Sequence, residues 1–581
     1  MLRFPIVWYP CCVSLLLILS IGRVVGLYET PPHIIIFMAD DLGWNDVGFH
    51  GSNQIPTPNI DALGYNGIIL NRHYVLPSST PSRTAFFTGL YPIRIGMQGN
   101  GIRGGEPRGL PLDIKILPEY LRGLGYITKL IGKWHMGYHT PQYTPLHRGF
   151  DSFLGFYNSH ISYYDYRYSN QNMSGYDMHR GDDPAHGINR EYATDLFTEE
   201  AIKIIENHEL SRPLYLQISH LAVHAPLEQP VEEHDDKEQI QIREPNRQKY
   251  ARMVSRLDES VGHVVHALGD KGMLRDALIL FLTDNGAASI GRYRNWGSNY
   301  PLRGTKYTLY EGGVRGVAVL WSTRLQKTAR VSNQLIHITD WLPTLYSAAG
   351  GDLKDLGVID GIDQWRVLSE GHGRGRDKLL LNIDELAKTE GAIYSRFKLL
   401  RGSVHNGYYD GYYGDSGRTL ETPPYIEIVL KSAVSQGITY HLGGPVTQES
   451  TIVQLREEAR VQCFPNMTYY HRHVFTTCNV TECLFDIVND PCETKNIAEA
   501  YPRIAKDLDL YLEHYGHILM RQSRVSVDWL ADPRRRNNTW EPWMHSGAAV
   551  YVPNTAAVLG NLVYCVHISI IFVSILFKTF I

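Results

Sequence analysis

The sequence predicts an α/β protein: a large, mostly parallel sheet flanked by helices, followed by a smaller C-terminal α+β domain. Three observations carry this expectation. His33-Ile34-Ile35-Ile36-Phe37-Met38-Ala39 and Ala277-Leu278-Ile279-Leu280-Phe281-Leu282 are continuous apolar runs, the pattern of strands buried on both faces of a parallel sheet. Between them, Tyr250, Met253, Leu257, Val261, Val264 and Leu268 recur at helical spacing and predict one amphipathic helix. Beyond about residue 375 the texture changes to shorter β-rich runs, Ala392-Ile393-Tyr394 and Tyr425-Ile426-Glu427-Ile428-Val429, which mark the second domain.

The 581 residues divide on this reading into 27–375 for the large domain, 376–525 for the smaller one and 526–547 for a linker, with Arg534-Arg535-Arg536 read as solvated. The two ends differ from the middle. Residues 1–26 carry Arg3, an apolar run through Val13–Leu19, and Val24-Val25-Gly26, which suits signal-peptide cleavage after Gly26. Residues 548–581 form a hydrophobic tail, apolar from Val558 to Phe577, behind the small trio Ser546-Gly547-Ala548. That order fits a GPI-anchor signal, with a retained transmembrane helix as the alternative; His567 in mid-span favours the former. A secreted, membrane-attached chain at the cell surface is the expectation, ahead of a lysosomal one.

Charge and cysteine use narrow the partners. Lys plus Arg number 56 and Asp plus Glu 60, and this near-neutrality excludes a general nucleic-acid binder, which needs a basic face. Apart from Cys11, Cys12 and Cys565 in the two ends, four cysteines cluster late in the chain. They allow three connectivities, and short loops favour Cys463–Cys478 with Cys483–Cys492; no Cys-x-x-Cys pair supports zinc instead. Sequons at Asn172, Asn466, Asn479 and Asn537 agree with secretion.

Chemistry gathers where the apolar strands end. Asp40-Asp41 follows the first run and Asp284-Asn285-Gly286 the second, and ligands of open α/β sheets sit beyond the carboxyl ends of strands. Three carboxylates meeting there beside an amide would repel one another unless a hard divalent cation such as Ca²⁺ joined them. Ser79-Thr80-Pro81-Ser82-Arg83-Thr84 opens a helix, which would place a nucleophile at its N-terminus and Arg83 one turn on, facing an anion.

Taken in order, Asp40-Asp41, Ser79-Thr80-Pro81-Ser82-Arg83, Gly125-Tyr126-Ile127-Thr128-Lys129-Leu130-Ile131-Gly132-Lys133-Trp134-His135, His224, Asp284-Asn285-Gly286 and Lys306 resemble the sulfatase family. The resemblance runs from about Pro32 to Asn496. Pro301-Leu302-Arg303-Gly304-Thr305-Lys306, Glu311-Gly312-Gly313-Val314-Arg315-Gly316 and Leu484-Phe485-Asp486 are similar to its arylsulfatase B branch. It implies an alkaline-phosphatase-like fold, with Asp40, Asp41, Asp284 and Asn285 holding Ca²⁺. Arg83, Lys133 and Lys306 would offset sulfate charge, His135 would assist the nucleophile, and His224 would protonate the leaving oxygen.

One position departs from the pattern. Animal-type members carry Cys at the first position of Cys-x-Pro-Ser-Arg and oxidise it to formylglycine, whose hydrate attacks sulfur with one hydroxyl and expels sulfate with the other. Here the position is Ser79. Some bacterial members start from serine and mature it with a radical-type system, and unmodified serine would stall as its sulfate ester. Two functions therefore stand: a sulfatase acting on aryl or sugar sulfates such as N-acetylgalactosamine sulfate, with Ser79 matured by an unusual route, or a silent relative that binds sulfated small molecules or glycans. A two-zinc phosphoesterase, the third reading, lacks the extra His and Asp ligands. Tyr163-Tyr164-Asp165-Tyr166-Arg167-Tyr168 and Tyr408-Tyr409-Asp410-Gly411-Tyr412-Tyr413 suit either a sugar-stacking rim or ordinary exposed loops, the latter favoured.

Overall fold

The computed structural model describes residues 30–545 except 189, 232–241, 415, 418–423, 445, 464–477, 479–481 and 523–524. The signal-peptide and C-terminal-tail expectations (1–26 and 548–581) fall outside the described residues. Among the described residues no helix is long and apolar enough to cross a membrane. Asn172 and Asn537 are exposed; the Asn466 and Asn479 sequons lie outside the described residues.

The two apolar runs are neighbouring strands of one ten-stranded sheet. In chain order its strands are β1 (His33–Ala39), β2 (Ile68–Leu70), β3 (Ile127–Lys133), β4 (Ser152–Phe156), β5 (His179–Arg180), β6 (Asp183–Pro184), β7 (Leu214–Ser219), β8 (Ala277–Thr283), β9 (Ala318–Ser322) and β10 (Arg330–Ser332). Their spatial order is β10-β2-β9-β8-β1-β7-β3-β4-β5-β6. The centre, from β8 through β1, β7 and β3 to β4, is parallel, and β1 pairs in register with β8 from His33↔Ala277 to Ala39↔Thr283. Every residue of β1 and β8 is buried, as two helix-covered faces require.

Helices α1 (Pro58–Asn66), α2 (Ser79–Thr88), α3 (Ala193–Glu206) and α4 (Pro245–Asp270) belong to this layer. All six apolar positions that predicted α4 are buried. The smaller domain is built on a four-stranded antiparallel sheet of β11 (Lys378–Asp384), β12 (Thr389–Tyr394), β13 (Phe397–Arg401) and β14 (Cys483–Asp486), covered by a later helix, Pro502–His517.

Two expectations are corrected. Tyr425–Val429 is not a strand: it lies in helix α5 (Tyr425–Leu430). Tyr425 and Val429, one turn apart, are the buried pair, and the Tyr425 hydroxyl bonds Asp61 and Tyr65 of α1. Tertiary burial thus outweighs the β preference of Ile426 and Ile428. Helix α6 (Ala433–Leu442) follows and lays Val434 and Ile438 into the core. The disulfides also differ, being Cys463–Cys492 and Cys478–Cys483. Cys463 and Cys492 share a cluster with Trp44 and Leu302, whereas Cys478 and Cys483 sit with Tyr310 and Phe485. Packing, not loop length, therefore sets the pairing.

The domains are joined by a buried ionic knot. Lys398 of β13 lies 2.9 Å from Glu311 and 2.8 Å from Glu493, and all three side chains are fully buried. Residues 528–544, in the stretch read as a linker, pack on the large domain: Trp540 is buried and donates to the Tyr168 carbonyl, and Trp543 donates to Asp528.

Candidate active site

The carboxyl ends of β1, β8 and β3 and the N-terminus of α2 converge on one point. Asp40 and Asp41 leave β1, Asp284 and Asn285 leave β8, Lys133 ends β3, and Ser79 is the first residue of α2. The strands must run very close for this. Gly132 has φ +90°, and a Cβ there would overlap the Ser219 carbonyl oxygen of β7, so only glycine delivers Lys133 to this place. Asp41 takes a left-handed φ of 61° and His135 one of 56°, turns that redirect the chain as it leaves each strand.

Ser79 Oγ lies 3.3 Å from Asp40 Oδ1 and 3.2 Å from Asn285 Oδ1, and donates to these two acceptors. Arg83, one turn along α2, donates through Nη2 to Asp284 Oδ2 at 2.9 Å and through Nε at 3.2 Å. Lys133 donates to Asp40 Oδ2, and Lys306 to Asp41 Oδ1 at 2.6 Å. The Asn285 amide also donates to Asp41 Oδ1 at 2.6 Å. Every one of these side chains is buried. Burial pulls the Lys133 ammonium down to about 8 against the pull of Asp40. Burial also opposes charge on Lys306, but Asp41 beside it wins and holds that ammonium above its ordinary range.

The two histidines are placed differently. His224 Nε2 stands 3.7 Å from Asp41 Oδ2, while its Nδ1 faces the Ala225 carbonyl at 2.6 Å. Burial first, then Lys306 and Lys133, push its pKa well below 6.5. His135 is held by the Ile102 carbonyl at 2.9 Å, and its own carbonyl accepts from Thr80. Its Nδ1 is buried with no hydrogen-bond partner, and no bond joins it to Ser79. Burial and then Lys133 depress its pKa as well.

The acidic cluster fits a hard cation. Asp41 Oδ2 is buried with no hydrogen-bond partner, and ligand atoms of Asp40, Asp41 and His224 lie within 4.8 Å of one another. Carboxylate and amide oxygens are the donor set Ca²⁺ takes. With three carboxylates already balanced by Arg83, Lys133 and Lys306, a divalent ion would leave the pocket cationic and suited to an anionic ester.

All ten residues singled out from the sequence therefore lie in or against one site. His160 was missed: its ring stacks on His224 at 5.0 Å and 18°, and touches Tyr168 and Tyr293. A single loop histidine outside any motif carries no sequence signal. The tyrosine-rich segments are more buried than loops would be. Tyr163, Tyr166 and Tyr168 are buried, as is Tyr409, which faces Tyr307 beside Lys306; Tyr408 is exposed.

A family model described as Sulfatase matches residues 32–351. Arylsulfatase J of Mus musculus is 34% identical over 518 residues, covering 88% of this chain and 80% of the relative. N-acetylgalactosamine-6-sulfatase of Mus musculus is 33% identical over 375 residues, 62% of this chain and 70% of its own. Among solved structures, Ps i-CgsB in complex with k-i-k-neocarrahexaose superposes with a TM-score of 0.65 at 25% identity, covering 85% of this chain and 94% of that one.

Proposed function

The chain belongs to the sulfatase family, and from that premise we propose that it cleaves sulfate esters of aryl or sugar alcohols at the Ser79 centre, with Ca²⁺ held by Asp40, Asp41, Asp284 and Asn285. The observation that carries this reading is Ser79 itself: a hydroxyl at a helix N-terminus, bonded to Asp40 and Asn285, within a ring of Arg83, Lys133 and Lys306. Such a ring favours a sulfuryl group over a neutral ester, because fixed cations in a buried site stabilise developing negative charge without reorganising. The bound cation would polarise oxygens at the reacting centre.

The chain's own groups have separable roles. Ser79 Oγ attacks sulfur, the S–O bond to the alcohol breaks, and His224 gives its proton to the departing oxygen. His224 takes up that proton once the substrate's negative charge offsets Lys306 and Lys133. The Ser79 proton passes to Asp40, the carboxylate that already accepts its hydrogen bond, while His135, bonded to Ile102 and Thr80, assists by holding the start of the nucleophile helix. These steps leave a serine sulfate ester and a free alcohol. Release needs either a second hydroxyl on residue 79, as formylglycine would supply, or attack by water. The sulfated sugar is the favoured substrate class because the Ser79 rim carries aromatic rings, His160, Tyr293 and Tyr307, on which a sugar face stacks. Two disulfides support folding in an oxidising, secretory compartment.

The silent reading keeps one specific support, the serine at a position where the maturation pattern calls for cysteine. The two readings part in one assay. Purified protein with Ca²⁺ is offered 4-nitrophenyl sulfate and N-acetylgalactosamine sulfates, alongside Ser79→Ala. Sulfate release abolished by the substitution supports hydrolysis. Saturable binding with no release from either protein supports the silent binder and refutes the enzyme.

A further inference from the structure

Outside the Ser79 centre, one other group of metal-ligating side chains is assembled among the described residues, at the far end of the sheet. His266 and Asp270 lie one turn apart near the end of α4, and His441 comes from the last turn of α6. Their ligand atoms all lie within 4.8 Å of one another. His266 Nδ1 is 2.9 Å from one Asp270 oxygen, and His441 Nε2 is 3.5 Å from the other. A tetrahedral Zn²⁺ with bonds of about 2.0–2.2 Å separates its ligands by about 3.4 Å, so ligand atoms all within 4.8 Å of one another are within reach of one ion.

The placement of His441 is built in rather than incidental. Its imidazole packs against α4 at Gly269, where an added Cβ would come within 2.2 Å of Cδ2 and 2.6 Å of Nε2. Only glycine at that position leaves room for the ring beside Asp270. A cavity of about 370 Å³ opens beside His266 and Asp270, two of the three residues, and leaves space there for a water ligand. Two imidazoles and one carboxylate with an open position suit zinc or another borderline transition ion rather than Ca²⁺, which prefers six or more oxygens.

We propose that His266, Asp270 and His441 form a Zn²⁺ site that clips α6 to α4. The site is separate from the catalytic centre. After Asp270 the chain turns through 271–276 and enters β8 at Ala277, and Asp284 lies past the other end of that seven-residue strand, about 20 Å away along it. Zinc here ties a helix from the C-terminal half of the chain to the longest helix of the large domain, and its binding free energy adds to the stability of that junction.

The test uses the full-length protein, stripped with a chelator and returned to Ca²⁺ so that the acidic centre does not compete. Zn²⁺ is then titrated by calorimetry, and the melting temperature is followed in parallel. His266 is exposed, so His266→Gln leaves folding intact; His441→Asn is the second variant. The expected result is a single strong Zn²⁺ equivalent, weakened at least about tenfold in both variants, and a zinc-dependent rise in melting temperature that both variants lose. Co²⁺ in place of Zn²⁺ gives the visible bands of a four-coordinate site in the wild type only. Equal zinc affinity in wild type and both variants, or no zinc-dependent stabilisation of the wild type, overturns the proposal and leaves an ordinary His–Asp–His hydrogen-bonded cluster.

Discussion

Replacing Lys398 by Met removes the only cation that touches both Glu311 and Glu493 among the described residues, and the knot between the domains sets the consequence. Nζ lies 2.9 Å from Glu311 and 2.8 Å from Glu493, with no solvent at any of the three. Glu311 keeps the Tyr74 hydroxyl at 2.9 Å and Arg315 at 3.3 Å, whereas Glu493 keeps the Glu311 backbone N–H at 2.7 Å. Breaking a buried pair from one side costs about 3–5 kcal/mol, because the stranded carboxylates cannot be rehydrated. In a chain of this size that corresponds to a fall in melting temperature of about 2.5–4 °C. The loss should depend on pH. Burial pushes Glu493 up to about 7, with Lys398 opposing and Glu311 adding to the rise. A carboxyl raised in the folded state contributes stability that is full below its unfolded value near 4.5 and lost as pH rises through 7. Without Lys398 the same carboxyl is raised further, so the variant should lose less at pH 5, where protonation relieves it, than at pH 8. Thermal or urea unfolding at both pH values reads this out. Adding Glu311→Gln and Glu493→Gln to the variant should recover most of the loss. A penalty below about 1 kcal/mol, or one equal at the two pH values, would refute the reasoning.

Three further outcomes follow from the site and its support. Ca²⁺ should raise the melting temperature of the wild type, and Asp284→Ala should abolish that rise; a calcium-independent melting curve counts against the acidic cluster. Ser79→Cys, made in a eukaryotic secretory host, should release sulfate well above the wild type, since Pro81 and Arg83 complete the maturation pattern; formylglycine present without activity would locate the defect elsewhere in the pocket. Trp540→Ala should cost about 3–5 kcal/mol, because it empties a fully buried site and strands the Tyr168 carbonyl; a near-neutral result would mean that residues 528–544 do not stabilise the large domain.

How much of this was legible in the sequence depended on whether the signal was local. The strands β1 and β8 and the helix α4 carry unbroken periodic patterns, and strand ends then place Asp40, Asp41, Asp284 and Asn285 without further information. Ser79, Arg83, Lys133, His135, His224 and Lys306 came from ordered motifs rather than periodicity. The misses are all long-range. Tyr425–Val429 looks like a strand until Asp61 and Tyr65 are known to receive Tyr425. Cysteine spacing says nothing about Trp44 and Leu302, which gather Cys463 with Cys492. Lys398 reads as one more surface lysine, and Trp540 as a residue in a polar linker, because neither partner lies nearby in the chain.

The central claim, that Ser79 is the residue through which this chain meets a sulfate ester, is tested most directly by the mass of the peptide that carries it. The purified protein is incubated with Ca²⁺ and a saturating sulfate ester, quenched in acid and digested. The account gives residue 79 as formylglycine in the resting protein or, if it is still serine, as its sulfate ester after incubation, and Ser79→Ala bearing neither. Unmodified serine before and after incubation, at a substrate concentration that saturates binding, would contradict the account.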